Sequence, residues 1–336
     1  MIATTGLNVL TVLFATRNGA KTLGHVLEEY ARLASPRGGW KLVIVDNGST
    51  DRSRQIISDF ENRLSLTCVF EPQGGKNAAL NTGLACVSGD LVVLTDDDAF
   101  PRPDWLVRLR EAADANPTFG IFGGLVAPRW ETDPPSWLLN SIPLAPTYTV
   151  SDSGLTEGPI EGHHVFGPNM AVRAEIFAAG YRFDPSIGPA SSRSYAMGSE
   201  TEFVLRLTGD GVKAWYIPTA IVDHFVRTTQ MRPSWIFGRA TRFGRGQCRL
   251  RLRLPLQAQM VWGFKRPPAP TPRCFGFPVS LLYQLTRKTG AVILALLQCS
   301  QEELFRSAFA LSYVYGYTRE ARDANRKPSL SGHVSL

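Results

Sequence analysis

Asp96 and Asp98 stand two apart at the end of the apolar run Leu91-Val-Val-Leu94, and in extended chain positions i and i+2 project to the same side. Two carboxylates turned to one spot repel each other, at a cost on the order of a few kcal/mol, unless a cation or donor lies between them. A divalent ion relieves that repulsion and, bridging to a diphosphate, offsets charge that develops on a phosphate leaving group. His224 follows an apolar strand that ends in Asp223. As a third ligand beside carboxylates it would tilt the choice of ion from Mg2+ towards Mn2+. The bland readings are an acidic turn ahead of Pro101 and Pro103, and a structural histidine.

Three further residues have types suited to the same chemistry. Asp46 caps the run Val43-Ile44-Val45 and can accept hydrogen bonds from the base or ribose of a nucleotide, or close an Asx-turn over Asn47-Gly48. Lys76, after Gly74-Gly75, can reach a diphosphate or can simply be solvated. Glu200 and Glu202 open a helical segment, where residues two apart point in different directions, so only one can face a site. Glu202 has Arg206 four residues on, the spacing of an ordinary surface ion pair. Glu200 has no such partner; near a helix N-terminus its carboxylate is favoured in the ionised form, ready to take a proton from a hydroxyl, though capping alone would also account for it.

These residues need a scaffold that brings strand ends together. Val9 to Ala15, Leu42 to Val45, Thr67 to Phe70 and Leu91 to Leu94 read as buried strands. Helical spacing between them predicts helices over Thr22 to Leu33, after an N-cap at Ser49 or Thr50, and over about Asn77 to Val87. Strands alternating with helices imply an α/β fold with a mostly parallel sheet flanked by helices. Ligands of such sheets sit outside the carboxyl ends of the strands. Those ends read Thr16-Arg17-Asn18, Asp46 to Asp51 and Thr95 to Asp98. Further on, Phe119 to Val126, His163 to Val172 and Ala220 to Val226 read as strands, with a proline-rich loop after the first and a helix near Glu200. No Gly-x-Gly-x-x-Gly or P-loop lysine pattern is present, which excludes the usual dehydrogenase and NTPase signatures.

At 336 residues, 44% of them hydrophobic, the chain can bury a large core. Five scattered cysteines without a Cys-x-x-Cys pair suggest neither a disulfide framework nor a zinc site, and a cytoplasmic setting fits. The opening residues carry no Lys or Arg ahead of their apolar run and read as a buried strand rather than a leader. The charge is divided: residues 1–226 hold 18 basic and 25 acidic side chains, residues 227–336 hold 18 and 4.

In order along the chain, these segments resemble the family-two inverting glycosyltransferases. The likeness runs from about Asn8 to Thr229 and rests on Val12 to Asn18, Asp46 before Gly-Ser-Thr-Asp, Asn81-Thr-Gly83, Thr95 to Asp98 and Gly167-Pro-Asn169. Ser199-Glu200 stands where the family usually has Glu-Asp, which replaces the customary aspartate base by a longer glutamate. The resemblance implies a GT-A fold over residues 1–226, with a nucleotide-sugar half to about 118 and an acceptor half beyond it. It further implies nucleotide contacts from Thr16, Arg17, Asn18, Asp46, Lys76 and Asp96, a Mn2+ or Mg2+ held by Asp98, Asp96 and His224, and Glu200 as base. Asn169 and Glu202 fall in the sugar or acceptor pocket. The expected reaction is a single displacement from a nucleotide-sugar donor, a UDP-sugar favoured, to a hydroxyl of a saccharide or lipid-linked saccharide. Bacterial exopolysaccharide or cell-envelope glycan synthesis is the expected setting.

Residues 227–336 are expected to form a basic, mainly helical appendage. Arg232, Arg239, Arg242, Arg245, Arg249, Arg251 and Arg253 alternate with Trp235, Phe237 and Phe243, as on surfaces that lie on anionic membranes. The apolar runs Phe275 to Leu285 and Ala291 to Leu297 are too short to span a bilayer, so peripheral association with the cytoplasmic face of an inner membrane is the reading; core helices with a solvated basic face are the alternative. The rival functions are a silent nucleotide-sugar binding protein, which would need no base, and a nucleic-acid binder, for which no recognition motif is present, so no nucleic-acid partner is expected.

Overall fold

A computed structural model describes residues 9–189, 194–253, 272–274 and 276–326; the reading of the first eight residues lies outside them. Four strands, β1 (Leu10–Thr16), β2 (Trp40–Asp46), β3 (Leu66–Phe70) and β4 (Leu91–Leu94), pair in parallel in the order β3-β2-β1-β4. Their apolar residues run continuously because both faces are covered. Leu10, Val12, Phe14, Leu42 and Ile44 enter one core, while Leu13, Val43, Val45, Val92 and Leu94 enter the other. The connecting helices are α1 (Leu23–Tyr30), α2 (Ser53–Asp59) and α3 (Lys76–Gly83).

Beyond β4 the direction becomes mixed. The strands β5 (Ala99–Pro101), β6 (Ile121–Trp130), β7 (Gly158–Ile160), β8 (Met170–Arg173) and β9 (Ala214–Val226) complete one sheet in the order β4-β8-β6-β9-β5, with β7 also on β9. β8 is antiparallel to β4 and to β6, whereas β6 and β9 run parallel along most of their length. By paired length the sheet is mostly parallel, as expected, and the helices α4 (Trp105–Ala115), α7 (Ala174–Ala178) and α8 (Ser199–Gly209) belong to the same part of the chain.

Two local expectations are corrected. The helix after β2 begins at Ser53, with Arg52 at its N-cap and no capping side-chain bond; Asp51, one residue ahead, accepts the Ser53 N–H at 3.0 Å, and Ser49 and Thr50 instead bond to Asn18. Of the strand expected over His163 to Val172 only β8 forms. Its first part is two single turns, Gly162–His164 and Gly167–Asn169, the second holding Pro168, whose ring nitrogen has no proton for a ladder. The proline-rich loop after β6 contains the short helices α5 (Ser136–Ser141) and α6 (Leu144–Tyr148).

The described chain divides into two compact units, residues 9–132, 148–189 and 199–227 in the first and 133–147, 194–198 and 228 onwards in the second. The second unit is built on α9 (Pro233–Arg253), α10 (Val279–Leu297) and α11 (Gln301–Arg326), with a small hairpin of β10 (Arg273–Cys274) and β11 (Phe277–Pro278). α9 and α11 cross at glycines: a Cβ on Gly244 would overlap the Tyr313 carbonyl, and one on Gly316 the Thr241 carbonyl. Gly316→Val is therefore expected to lower the stability of this unit by about 1–3 kcal/mol, the usual cost of overpacking, read as a lower thermal midpoint; an unchanged midpoint would show that the helices separate freely.

Candidate active site

The register of the strands brings distant residues to one end of the sheet. β5 and β9 pair antiparallel so that Ala99 lies opposite His224, and the Phe225 N–H donates to the Asp98 carbonyl at 2.9 Å. Asp96, Asp98 and His224 each offer a ligand atom within 4.8 Å of the others. His224 donates Nδ1–H to the Tyr148 carbonyl at 2.7 Å, a tautomer assigned from that contact, which turns Nε2 to Asp98 at 3.3 Å. A backbone carbonyl on one ring nitrogen is the usual way to orient the other towards a metal. Two carboxylates and one imidazole, so arranged, fit a divalent cation of the Mg2+ or Mn2+ kind.

The charges around these ligands are closely balanced. Burial raises the Asp98 carboxyl, but His224 and then Arg227, 3.4 Å away, outweigh it and hold its pKa below the ordinary value. Burial would discharge His224, and Asp98 instead raises its pKa. Asp97 accepts the Thr16 hydroxyl at 2.6 Å and is pushed up to about 7 by burial and by Asp98. The segment is not extended as expected: the Ala99 N–H donates to the Asp96 carbonyl at 3.2 Å and closes a turn, which brings Asp96 and Asp98 together by another route; sequence reasoning also passed over Asp97 and Arg227.

At the end of β2, Asp46 is buried; it accepts the Ser49 N–H at 2.9 Å and forms an ion pair with Arg54. That Asx-turn is the structural role weighed for it. A nucleotide would meet its second oxygen by displacing the Arg54 guanidinium, which is 56% exposed and lies over the Phe70 ring. Asn18 takes a left-handed conformation (φ 57°) and accepts the Thr50 N–H at 2.8 Å, joining the ends of β1 and β2, while Arg17 is exposed and lies near Gly74.

Lys76, the first residue of α3, joins the two halves of the site. Its ammonium pairs with Asp96 and, at 2.6 Å, with Oε1 of Glu200. Burial would discharge Lys76, but Asp96 and Glu200 together raise its pKa above the ordinary lysine value. Burial raises Glu200, and Lys76 and the Ser199 hydroxyl, 2.5 Å from Oε2, outweigh it, so its pKa is lowered and the carboxylate is ionised. Gly167 lies directly against Glu200: a Cβ there would stand 2.5 Å from Glu200 Cγ.

Three asparagines that the sequence reading gave no chemical role hold this geometry. Asn47 donates to the carbonyls of Glu71 and Gln73 and accepts the Gly75 N–H, which fixes the loop ahead of Lys76. Asn77 donates to the Asp184 and Ile187 carbonyls. Asn81 donates to the Phe183 carbonyl and accepts the Phe183 N–H, clamping α3 to the segment that leads towards α8. The signal available was the spacing of Asn77 and Asn81, four apart on one helical face.

Two expected pocket residues are engaged elsewhere. Asn169 is fully buried; its amide donates to the Leu125 and Ala220 carbonyls and accepts the Trp105 indole N–H, so its side chain braces β6, β9 and α4. The Glu202 carboxylate is held by Arg206 at 3.0 and 3.1 Å and is not brought to the Lys76 cluster.

Comparison with known proteins accords with this arrangement. The model of glycosyl transferase family 2 matches residues 11–180. Among curated proteins, the glucosyl-dolichyl phosphate glucuronosyltransferase of Haloferax volcanii is 24% identical over 210 residues, 60% of this chain and 64% of that one. The pre-mycofactocin glycosyltransferase of Mycobacterium tuberculosis is 26% identical over 235 residues, 69% of this chain and 45% of that one. The matched stretch thus spans less than two thirds of either relative. Among solved structures, the mannosyltransferase PcManGT from Pyrobaculum calidifontis, in complex with GDP-Man and Mn2+, shares the fold with a TM-score of 0.58 at 20% identity, covering 94% of this chain and 88% of that one. S. aureus TarS 1-349 in complex with UDP-GlcNAc does so with a TM-score of 0.53 at 15% identity, covering 95% and 92%.

Proposed function

The chain belongs to glycosyl transferase family 2, and from that premise we propose that it transfers a sugar from a nucleotide-sugar donor, a UDP-sugar favoured, to a saccharide hydroxyl with inversion at the anomeric carbon. The observation that carries the proposal is the chain of contacts from Asp96 through Lys76 to Glu200. It sets a group suited to a diphosphate beside an ionised carboxylate suited to a hydroxyl, and a silent binding protein needs only the first. The neighbours' Mn2+, GDP-Man and UDP-GlcNAc support the same reading.

In the proposed reaction Glu200 takes the acceptor's hydroxyl proton as the oxygen bonds to the anomeric carbon. The bond from that carbon to the diphosphate breaks on the opposite side, and the nucleoside diphosphate leaves with its electron pair. Lys76 turns from Glu200 to the departing phosphate, which frees the carboxylate and offsets the new charge. A Mn2+ or Mg2+ held by Asp96, Asp98 and His224 would supply Lewis-acid stabilisation to the same leaving group. The acceptor we propose is a saccharide or lipid-linked saccharide of bacterial exopolysaccharide or cell-envelope synthesis.

The direct test is binding and turnover of UDP-, GDP- and dTDP-sugars with Mn2+, Mg2+ or chelator. Metal-dependent binding of one donor class supports the reading, and no binding to any of them sinks it. Lys76→Met supplies a second test with a definite sign. Lys76 keeps the Glu200 pKa low, so without it burial dominates and the pKa rises. Activity that wild type loses only at low pH is then lost at a higher pH, and the acid limb of the kcat/KM profile, which reports the enzyme before substrates bind, moves up; an unmoved limb would separate Lys76 from the base.

A further inference from the structure

The α10 helix buries little of what it carries. Val279, Tyr283, Ile293 and Leu297 are 44, 66, 53 and 77% exposed, and with Thr286 and Gly290 between them they follow one another at steps of four and three. That spacing draws one stripe along the whole helix, about 28 Å at 1.5 Å per residue. Leu294, 54% exposed, widens the stripe, and Ala295, buried, stands on the opposite side.

The stretch of sequence that carries this stripe has charge of one sign. Between residues 228 and 300 the sequence holds twelve Lys or Arg and no Asp or Glu. Arg287 borders the stripe on α10 itself and is exposed. The next carboxylates, Glu302 and Glu303 at the start of α11, are engaged by Asn140 and Arg306. By contrast, α9, the arginine-rich helix expected to meet a membrane, turns part of its charge inward: Arg245 and Arg249 both pair with Glu320, which is 7% exposed. A second copy of α10 laid along the first would face cations with cations, without the opposite charges that flank paired helices. An anionic bilayer answers both features, since its acyl boundary accepts the stripe and its headgroups accept the bordering cation. Among the described residues no helix is long and apolar enough to cross a membrane.

We propose that the outer face of α10 is an in-plane anchor that seats this protein on an anionic lipid surface. The proposal moves the contact from the α9 arginines to α10 and does not depend on the sugar-transfer reading, because binding is read without donor or metal.

The test is sedimentation of the full chain with vesicles of phosphatidylcholine alone or with phosphatidylglycerol at seven to three. Wild type is expected to bind the mixed vesicles at least tenfold more tightly than the neutral ones, and Ile293→Glu with Leu297→Glu to lose at least tenfold. Gln284→Glu, an exposed change off the stripe that adds one negative charge against the double variant's two, should lose less than threefold. Amide exchange over residues 279–297 of wild type, slowed by mixed vesicles, reads the same contact without any variant. Equal binding by wild type and the double variant, no binding by wild type, or a concentration-dependent dimer that the double variant abolishes would each overturn the proposal.

Discussion

Glu200→Gln should bind the donor as wild type does and lose turnover by about 10²–10⁴-fold, the range that a positioned general base contributes. The amide keeps the shape of the carboxylate against Gly167 and the bond from the Ser199 hydroxyl, so the change removes proton acceptance with little else. It also removes one anionic partner of Lys76, which leaves the ammonium freer to meet a diphosphate; donor affinity unchanged or slightly raised is the matching expectation. Donor titration followed by single-turnover kinetics reads both quantities. Wild-type turnover in this variant would remove Glu200 from the chemistry and return attention to capping of α8.

Asp98→Ala carries the second large effect. It takes one ligand from the Asp96, Asp98 and His224 group and the partner that raises the His224 pKa. Metal-assisted charge stabilisation is worth several kcal/mol, so kcat/KM should fall on the order of 10³-fold. The variant with Mn2+ should then resemble wild type with chelator, and added metal should not rescue it. Calorimetric titration of Mn2+ separates the outcomes: unchanged metal affinity would mean that the three residues do not act as one ligand set.

The sequence made some of this legible and hid the rest for physical reasons. The parallel half of the sheet could be read because strands buried on both faces appear as unbroken apolar runs, as Leu42 to Val45 and Leu91 to Leu94 do. The grouping of Asp96 with Asp98 was legible in the sequence, although a turn and not the two-residue period of extended chain brings them together, whereas the place of His224 beside them depends on the β5–β9 register, which no local pattern carries. The turns at Gly162–His164 and Gly167–Asn169 were read as strand because Val165 and Phe166 are apolar, and the period alone does not separate a strand from a packed turn. The sequence does not separate Lys76 from an ordinary solvated loop lysine; its burial between two carboxylates is a product of tertiary structure. The arginines of α9 misled in the opposite way, since Glu320, the buried carboxylate that Arg245 and Arg249 share, lies some seventy positions later.

The double attachment of Lys76 has a kinetic corollary. While the ammonium sits on Glu200, an arriving hydroxyl finds the base already occupied, and only a diphosphate offers Lys76 an alternative anion. Substrates should therefore enter in order, donor before acceptor: initial-rate patterns would be sequential, and an unreactive acceptor analogue would inhibit uncompetitively against the donor. The lysine would then act as an interlock, so that the protein commits an acceptor only after the sugar to be given is in place.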